Sequence, residues 1–302
     1  MDFSGKSRQA LKAAVPLAEH YGGKISLIHA VEPVYRAAAF PGEMGITSVD
    51  TRQVVEACEE ELSALARKLV PRDLLGETMV RTGRAYVEII NAADELEADL
   101  IALSTHGYTG LKHVMLGSTA EHVVRHAHCP VLTLRRGPEA TPGDALKAAG
   151  DRLPWRGILV PLDFSLTSLC ALDVAARLAH DSGARLLLLH VIEPTPYATG
   201  MDGAALAIPD SVLAERAKAA LPRIARRLIP PPVRVVTLVA RGRAAKTIAQ
   251  TASAGEMDLI VVSTHGHTGF ERFMMGSTAE QVVRQAACPV FVVRSFRRND
   301  KK

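Results

Sequence analysis

The sequence predicts an α/β protein made of two similar doubly wound units, each a parallel sheet covered by helices. Three observations lead to this prediction. Short apolar runs rich in β-branched residues, such as Leu259–Val262, alternate with segments of helical periodicity. Strands that alternate with helices require crossover connections, which are typical of parallel sheets. The same order of segments occurs twice, and 302 residues are enough for two domains of ordinary size.

The second half of the chain gives the order of elements without a gap. Its first strand ends before Asp163, and Gly183 ends the helix that follows. Pro222 lies inside a later helix, which it is expected to kink. The predicted elements are strand Gly157–Leu162, helix Thr167–Ser182, strand Arg185–Val191, helix Asp210–Ile229, strand Val233–Val239, helix Ala244–Ala254, strand Leu259–Val262, helix Ala279–Ala287 and strand Pro289–Val293.

The first half follows the same course but lacks the first strand. The second half has Trp155–Leu162 before Asp163-Phe164-Ser165, whereas only Met1 precedes Asp2-Phe3-Ser4. A missing central strand leaves N–H and C=O groups of its neighbours unpaired, at a real cost in free energy. We therefore expect further residues upstream of Met1; the alternative is a first repeat that has lost this strand. The predicted elements are helix Ser7–Tyr21, strand Lys24–Val31, helix Val49–Leu69, strand Glu77–Arg81, helix Val87–Leu96 and strand Leu100–Leu103.

Composition argues against several classes of protein. The net charge is only +4, and no Lys/Arg tract with interleaved aromatic residues indicates nucleic-acid binding. Four cysteines in this length do not form a disulfide framework. There is no run of about 18 apolar residues and no charged-then-apolar leader. The sequence therefore predicts a cytoplasmic protein without a membrane or nucleic-acid partner.

The loop after the fourth strand of each half carries the strongest functional signal. The stretches Ser104–Arg135 and Ser263–Arg294 are identical at 20 of 32 positions, mainly at glycines and hydroxyl residues. Glycines let the backbone approach a ligand closely, and the N–H groups at the start of the next helix favour an anion such as phosphate. The hydroxyl of Ser277 or Thr278 could cap that helix or bond a phosphate oxygen, and the two roles are compatible. The alternative is that the glycines serve only the strand-to-helix turn.

These loops resemble the nucleotide loop of the universal stress protein family, G-x2-G-x9-G-(S/T). The chain has Ser104-x2-Gly107-x9-Gly117-Ser118 and Ser263-x2-Gly266-x9-Gly276-Ser277, with serine at the first glycine position. The resemblance covers nearly the whole chain and implies a tandem member with domains at 1–136 and 155–296, joined by a linker at 137–154. It further implies five-stranded parallel sheets in the order 3-2-1-4-5, an adenine nucleotide alpha hydrolase-like fold.

The resemblance implies ATP, with or without Mg²⁺, across the carboxyl ends of the strands. In such a fold the aspartate after the first strand contacts adenine or ribose, the residue after the histidine of the second strand offers its backbone to adenine, and the loop holds the phosphates. The implied ligand residues are Asp163, Val191, Ser263, His265, Gly266, Gly276, Ser277 and Thr278 in the second repeat, and Asp2, Ala30, Ser104, His106, Gly107, Gly117, Ser118 and Thr119 in the first.

Two of these assignments have structural alternatives. An aspartate in Asp-Phe-Ser suits a helix N-cap as well as a ligand contact. The loop histidines, His106 and His265, suit anchoring of the loop better than acid–base chemistry. His122, His126, His128 and Cys129 could also suggest zinc. Because the second repeat has Gln281 and Gln285 at the first two of these places, a solvated helix face is favoured.

The fifth strands predict how the two repeats associate. The segments CPVLTLR and CPVFVVR are apolar enough to aggregate as bare sheet edges. Pairing them with each other removes both edges, which predicts an intramolecular pseudo-dimer with a two-fold relation. Assembly into a homo-oligomer stays open.

The sequence therefore predicts an ATP-binding stress-response protein that acts as a sensor or regulator. Hydrolysis is expected to be slow at most, because no carboxylate is clearly placed to activate water and no lysine follows the glycines as in a P-loop. The alternative is an interaction scaffold of the same fold that needs no nucleotide. An adenylating enzyme is disfavoured, because no Ser-Gly-Gly pyrophosphate loop follows a first strand.

Overall fold

A computed structural model describes residues 1–33, 35–40, 43–48, 52–105, 116–134, 153–194, 209–264 and 275–294. Four predicted ligand residues lie outside the described residues, namely His106, Gly107, His265 and Gly266. Most of the predicted linker lies outside them as well.

Within these ranges, helices and strands alternate along the chain as the sequence predicts. The helices are α1 Gly5–Tyr21, α2 Arg52–Leu69, α3 Ala85–Glu95, α4 Ser118–His126, α5 Leu166–Ser182, α6 Asp210–Leu228, α7 Ala244–Ala254 and α8 Ser277–Gln285. The strands are β1 Ile25–Val31, β2 Tyr35–Phe40, β3 Glu43–Ser48, β4 Leu75–Thr82, β5 Ile101–Ser104, β6 Val131–Leu134, β7 Gly157–Pro161, β8 Arg185–Ile192, β9 Val235–Arg241, β10 Leu259–Ser263 and β11 Val290–Val293.

A seven-stranded sheet runs through both repeats in the order β5-β6-β11-β10-β7-β8-β9. The five strands of the second repeat are mutually parallel, and their order is the predicted 3-2-1-4-5. The two fifth strands, β6 and β11, pair antiparallel, with Phe291 opposite Leu132. Two strands of the first repeat thus extend the sheet of the second.

In the first repeat no strand precedes α1 among the described residues, as predicted. β1 and β4 form a separate parallel pair, while β5 and β6 belong to the large sheet. Side chains that would pack on the absent strand are less buried than their counterparts. Ile28 is half-buried, whereas the equivalent Leu189 is 0% exposed. Likewise, Ala14 is half-buried where the equivalent Ala175 is fully covered.

The core lies on both faces of the large sheet, and β7 shows why. Its residues Ile158, Leu159 and Val160 are all 0% exposed. Ile158 and Val160 pack on the face covered by α5, whereas Leu159 packs on the face covered by α7 and α8. Each such side chain contributes about 1.5–3 kcal/mol by leaving water. A continuous apolar run is what a strand covered on both faces requires.

The antiparallel pair β2 and β3 is an addition that the sequence analysis did not predict. It follows β1 in the first repeat, with Tyr35 opposite Ser48 and Phe40 opposite Glu43. Pro41-Gly42 stands between the two strands, and this dipeptide is a recognised turn signal. The hairpin therefore had a signature in the sequence.

Candidate functional site

The turn after β7 is built from Asp163, Phe164 and Ser165. Asp163 Oδ1 accepts hydrogen bonds from the Ser165 N–H at 3.0 Å and the Ser165 hydroxyl at 2.6 Å. Ser165 is the N-cap of α5, and its Oγ accepts from the Ser168 N–H at 3.2 Å. The alternative structural role of the aspartate therefore exists in the fold, but the cap itself is Ser165 and Asp163 holds that cap in place.

Phe164 joins this turn to β8 through an unusual backbone conformation. Its φ is +66°, a left-handed conformation that costs a non-glycine residue about 1–2 kcal/mol. Its ring packs on that of His190, with the centroids 4.5 Å apart. His190 Nδ1 lies 2.7 Å from the Leu162 carbonyl oxygen, which can only accept, so Nδ1 carries the proton. No role for Phe164 was predicted from the sequence.

The first repeat builds the same turn from Asp2, Phe3 and Ser4. Asp2 Oδ1 accepts from the Ser4 N–H at 3.0 Å and the Ser4 hydroxyl at 2.7 Å. Phe3 has a φ of +57° and packs on His29 at 4.6 Å. Burial acts to raise the pKa of Asp2, but hydrogen bonds from Ser7 and Ser4 outweigh it and lower that pKa.

A cavity of about 440 Å³ opens beside this turn, at the carboxyl end of β8. It brings Val191, one of the predicted adenine contacts, together with the Phe164 and His190 rings and with α6. Leu213 and Ala217 contribute apolar surface from α6, and Arg216 adds a guanidinium. Its lining suits a flat, mostly apolar group with polar edges.

A second cavity, of about 690 Å³, shares Glu193 with the first and is bounded by the start of α8. The residues that line it are Glu193, Pro194, Arg243, Ala244, Ala245, Ser277, Thr278 and Gln281. Two of the predicted phosphate contacts, Ser277 and Thr278, therefore line this cavity. Because Ser263 ends β10 and Gly276 precedes α8, the described parts of the loop also converge on this end of the sheet.

The start of α8 differs from the prediction in a way that matters for an anion. Helix α8 begins at Ser277 rather than Ala279, and its N-cap is Gly276, with φ −60° and ψ 140° and no side-chain cap. Of the two possible roles of the Ser277 and Thr278 hydroxyls, capping is excluded, because both residues already lie in the first turn of the helix. The amide groups of that turn thus lack a side-chain cap, and with the helix dipole they favour an anion.

Charged groups near this cavity have distinct roles. Glu193 Oε1 accepts the Ala244 N–H at 2.6 Å and so satisfies the start of α7. Arg243, the residue just before α7, is exposed and lines the same cavity. No role for Arg243 was predicted above from the sequence. Its signal was the Gly-Arg-Ala sequence, which occurs at equivalent places in both repeats as Gly83-Arg84-Ala85 and Gly242-Arg243-Ala244.

The first repeat has its predicted ligand residues at the equivalent points of its own helices and strands. Helix α4 begins at Ser118 after the N-cap Gly117, which has φ −61° and ψ 140°. Thr119 follows in the first turn, Ser104 ends β5, and Ala30 lies near the end of β1.

Other candidate sites gain no support within the described ranges. No group of three or more His, Cys, Asp or Glu residues is arranged there to hold a metal ion. His122 instead stacks on Tyr86, and His128 Nδ1 lies 3.1 Å from the Asp94 carboxylate. In the same ranges, no helix combines the length and apolar character that crossing a membrane requires.

Comparison with known proteins gives matches over most of the chain. A model described as the universal stress protein family matches residues 1–135 and 154–294. A universal stress protein of Mycolicibacterium smegmatis is 29% identical, over 97% of this chain and 95% of that protein. One from Mycobacterium tuberculosis is 27% identical, over 89% of this chain and 86% of that protein.

A solved structure shares the fold. The crystal structure of a universal stress protein from Archaeoglobus fulgidus matches with a TM-score of 0.64 at 22% identity, covering 97% of this chain and 96% of that one. The tandem α/β architecture is therefore found in an experimental structure.

Proposed function

The chain belongs to the universal stress protein family, and we propose that its second repeat binds an adenine nucleotide, with ATP as the expected ligand. The observation that carries the proposal is the start of α8, where Gly276 offers no side-chain cap and the first turn borders a cavity of about 690 Å³. A helix start of this kind suits a phosphate.

Each of the two adjoining cavities suits a different part of the nucleotide. The cavity beside Phe164 and Val191 is lined mostly by apolar groups and suits the adenine. The cavity at Ser277 and Thr278 suits the phosphates, with Arg243 as a further cation on its wall. Glu193 lines both cavities, so one ligand can extend from the first to the second.

The arrangement favours binding over rapid hydrolysis. Glu193 is the one carboxylate among the described residues that line the second cavity, and it is engaged with the Ala244 N–H. It is therefore poorly placed to activate a water molecule. The function that follows is that of a nucleotide-dependent sensor or regulator in the cytoplasmic stress response, with slow ATP hydrolysis at most.

We also infer that the two repeats form an intramolecular pseudo-dimer. The antiparallel pairing of β6 with β11 supports this arrangement. So does a group of ion pairs between α4 and α8, in which Arg125 lies 3.2 Å from Glu280 and Arg284 lies 3.0 Å from Glu121. Each arginine also pairs with the glutamate of its own helix, so the four side chains form a closed ring.

Isothermal titration with ATP, ADP and AMP, each with and without Mg²⁺, tests the nucleotide proposal. Gly276→Val is the informative variant, because the backbone at φ −60° tolerates valine while its side chain would stand beside the first turn of α8. We expect ATP affinity to fall at least tenfold, about 1.4 kcal/mol. Gly117→Val, the matched change in the first repeat, controls for general damage.

The same titration separates the proposal from its alternative. Serine at position 263, in place of the first glycine of the family loop, favours a scaffold that needs no nucleotide. If no adenine nucleotide gives heat at high protein concentration, and Gly276→Val behaves as the unsubstituted protein does, the scaffold is the better description.

A further inference from the structure

The residues that line the second cavity, at the start of α8, have counterparts in the first repeat that differ at two positions only. Of the eight residues that line it, six are identical at the equivalent positions, which are Glu32, Pro33, Arg84, Ala85, Ser118 and Thr119. The two that differ are Ala245, which corresponds to Tyr86, and Gln281, which corresponds to His122.

These two substituted residues touch each other. The Tyr86 and His122 rings are stacked, with their centroids 4.5 Å apart and their planes at 28°. Both side chains are half-buried, and Tyr86 packs against the core on this face of the sheet. A methyl group and a flexible amide in the second repeat are thus replaced by a packed pair of rings in the first.

The stack is held over the start of α4. His122 Nδ1 lies 2.7 Å from the carbonyl oxygen of Ser118, so Nδ1 carries the proton and donates to the first turn of the helix. The His126 ring continues the stack, with its centroid 6.2 Å from that of His122. The ring of His122 is therefore fixed from two sides, beside the turn at which a phosphate would have to arrive.

We propose that the Tyr86–His122 stack closes the phosphate side of the first repeat, so that the chain binds one nucleoside triphosphate, in the second repeat. This inference rests on the proposed function. The aspartate turns do not account for this proposed difference in nucleotide binding between the repeats, because Asp2 and Asp163 hold Ser4 and Ser165 in the same way. Binding in the first repeat would require the rings to separate and to leave their packed positions.

Exchanging the two pairs of residues tests the proposal. The double variant Tyr86→Ala/His122→Gln gives the first repeat the lining of the second. We expect the number of ATP molecules bound per chain, measured by isothermal titration and by mass spectrometry of released nucleotide, to rise from one to two. The reverse variant, Ala245→Tyr/Gln281→His, should lower it from one to none. Circular dichroism and thermal unfolding establish that each variant is folded.

Each outcome bears on a different claim. Two ATP molecules bound by the unsubstituted chain would overturn this inference and leave the proposed function standing. No adenine nucleotide bound by that chain would overturn the proposed function, and this inference with it. If the variant Tyr86→Ala/His122→Gln is folded but still binds one ATP molecule, the stack is not what closes the first site. If it does not fold, the reverse variant decides, because a folded chain that still binds one ATP contradicts the proposal.

Discussion

At the scale of single residues, the aspartate turn is the feature that the two repeats share most closely. In each, one carboxylate oxygen accepts from a serine N–H and from the hydroxyl of the same serine. A phenylalanine with positive φ then packs on a histidine of the next strand. The backbone strain at phenylalanine is offset by these contacts, which hold the chain where the first strand turns into its helix.

Replacing Asp2 by alanine is expected to lower the free energy of unfolding by about 1 kcal/mol at pH 7, because the serine cap loses its support. Because the pKa of Asp2 is lowered in the folded state, this stabilisation is complete above the ordinary aspartate pKa of about 4. It is lost as the pH falls through the lower pKa of the folded state. Urea unfolding of both proteins between pH 7 and pH 2 measures the difference, and a difference independent of pH would contradict this account.

Asp163→Ala is the matched variant in the second repeat. It should lower the free energy of unfolding by a similar amount, because Asp163 accepts the same two hydrogen bonds as Asp2. If Asp163 also contacts the nucleotide, as the family resemblance implies, this variant weakens ATP binding while Asp2→Ala does not.

The exact start of a helix was predicted less well than its presence. From the sequence, Ser277 and Thr278 were placed before the helix as possible caps, but Gly276 takes the cap position and both residues lie in the first turn. A cap depends on where the helix begins, and helix ends are the least certain part of a sequence-based assignment. The stack of Tyr86 on His122 was not predictable, because their proximity depends on how α3 packs against α4.

At the scale of elements, the order of strands and helices followed from the sequence because each signal is local. The run Ile158–Val160 is apolar throughout, so it had to be covered on both faces. The pair β2 and β3 was missed because its segments have little apolar alternation, although Pro41-Gly42 marks a turn. The pairing of two parallel sets of strands into one sheet is non-local, and only the apolar fifth strands indicated it.

The one-sided pairing of β1 has a consequence for local stability. Within the described residues β1 pairs only with β4, whereas its counterpart β8 pairs with both β7 and β9. We expect amide hydrogens of 25–31 to exchange at least tenfold faster than those of 185–192, because half of the β1 backbone lacks a strand partner in these ranges. Hydrogen–deuterium exchange mass spectrometry measures both segments in one experiment.

β6 serves as the internal control for this measurement. It belongs to the first repeat but is paired on both sides, by β5 and β11. It should therefore exchange slowly. Equal protection of 25–31 and 185–192 would show that something covers the open edge of β1.

At the scale of the whole molecule, contacts between the repeats involve both the sheet and the helices. The ring of Arg125, Glu121, Arg284 and Glu280 joins α4 to α8. On another part of the molecule, the Tyr21 hydroxyl donates to the Asp181 carboxylate at 2.7 Å and joins α1 to α5. Leu132 and Phe291 belong to one core cluster that includes side chains from both repeats.

Cutting the chain between the repeats should therefore leave them together. A protease site inserted between Thr141 and Pro142 and then cleaved is expected to give two fragments that co-elute in size-exclusion chromatography. Association should persist in 1 M salt, because partly exposed ion pairs contribute only about 1 kcal/mol each and apolar contacts are not screened. Fragments that separate on cleavage would contradict the pseudo-dimer.

Leu132→Asp provides the positive control. Leu132 is 1% exposed and lies opposite Phe291 in the antiparallel pair. A carboxylate there would be buried within an apolar cluster, so cleavage of this variant should release the fragments.

The antiparallel pairing of β6 with β11 also fixes the relative orientation of the two repeats. Parallel strands place their ligand-binding ends on one rim of a sheet, and reversing the direction at the join places those of β5 and β6 on the opposite rim. The carboxyl ends of the strands of the two repeats therefore lie at opposite edges of the large sheet. A nucleotide bound as proposed in the second repeat would therefore leave the carboxyl ends of β5 and β6, at the other edge, uncovered.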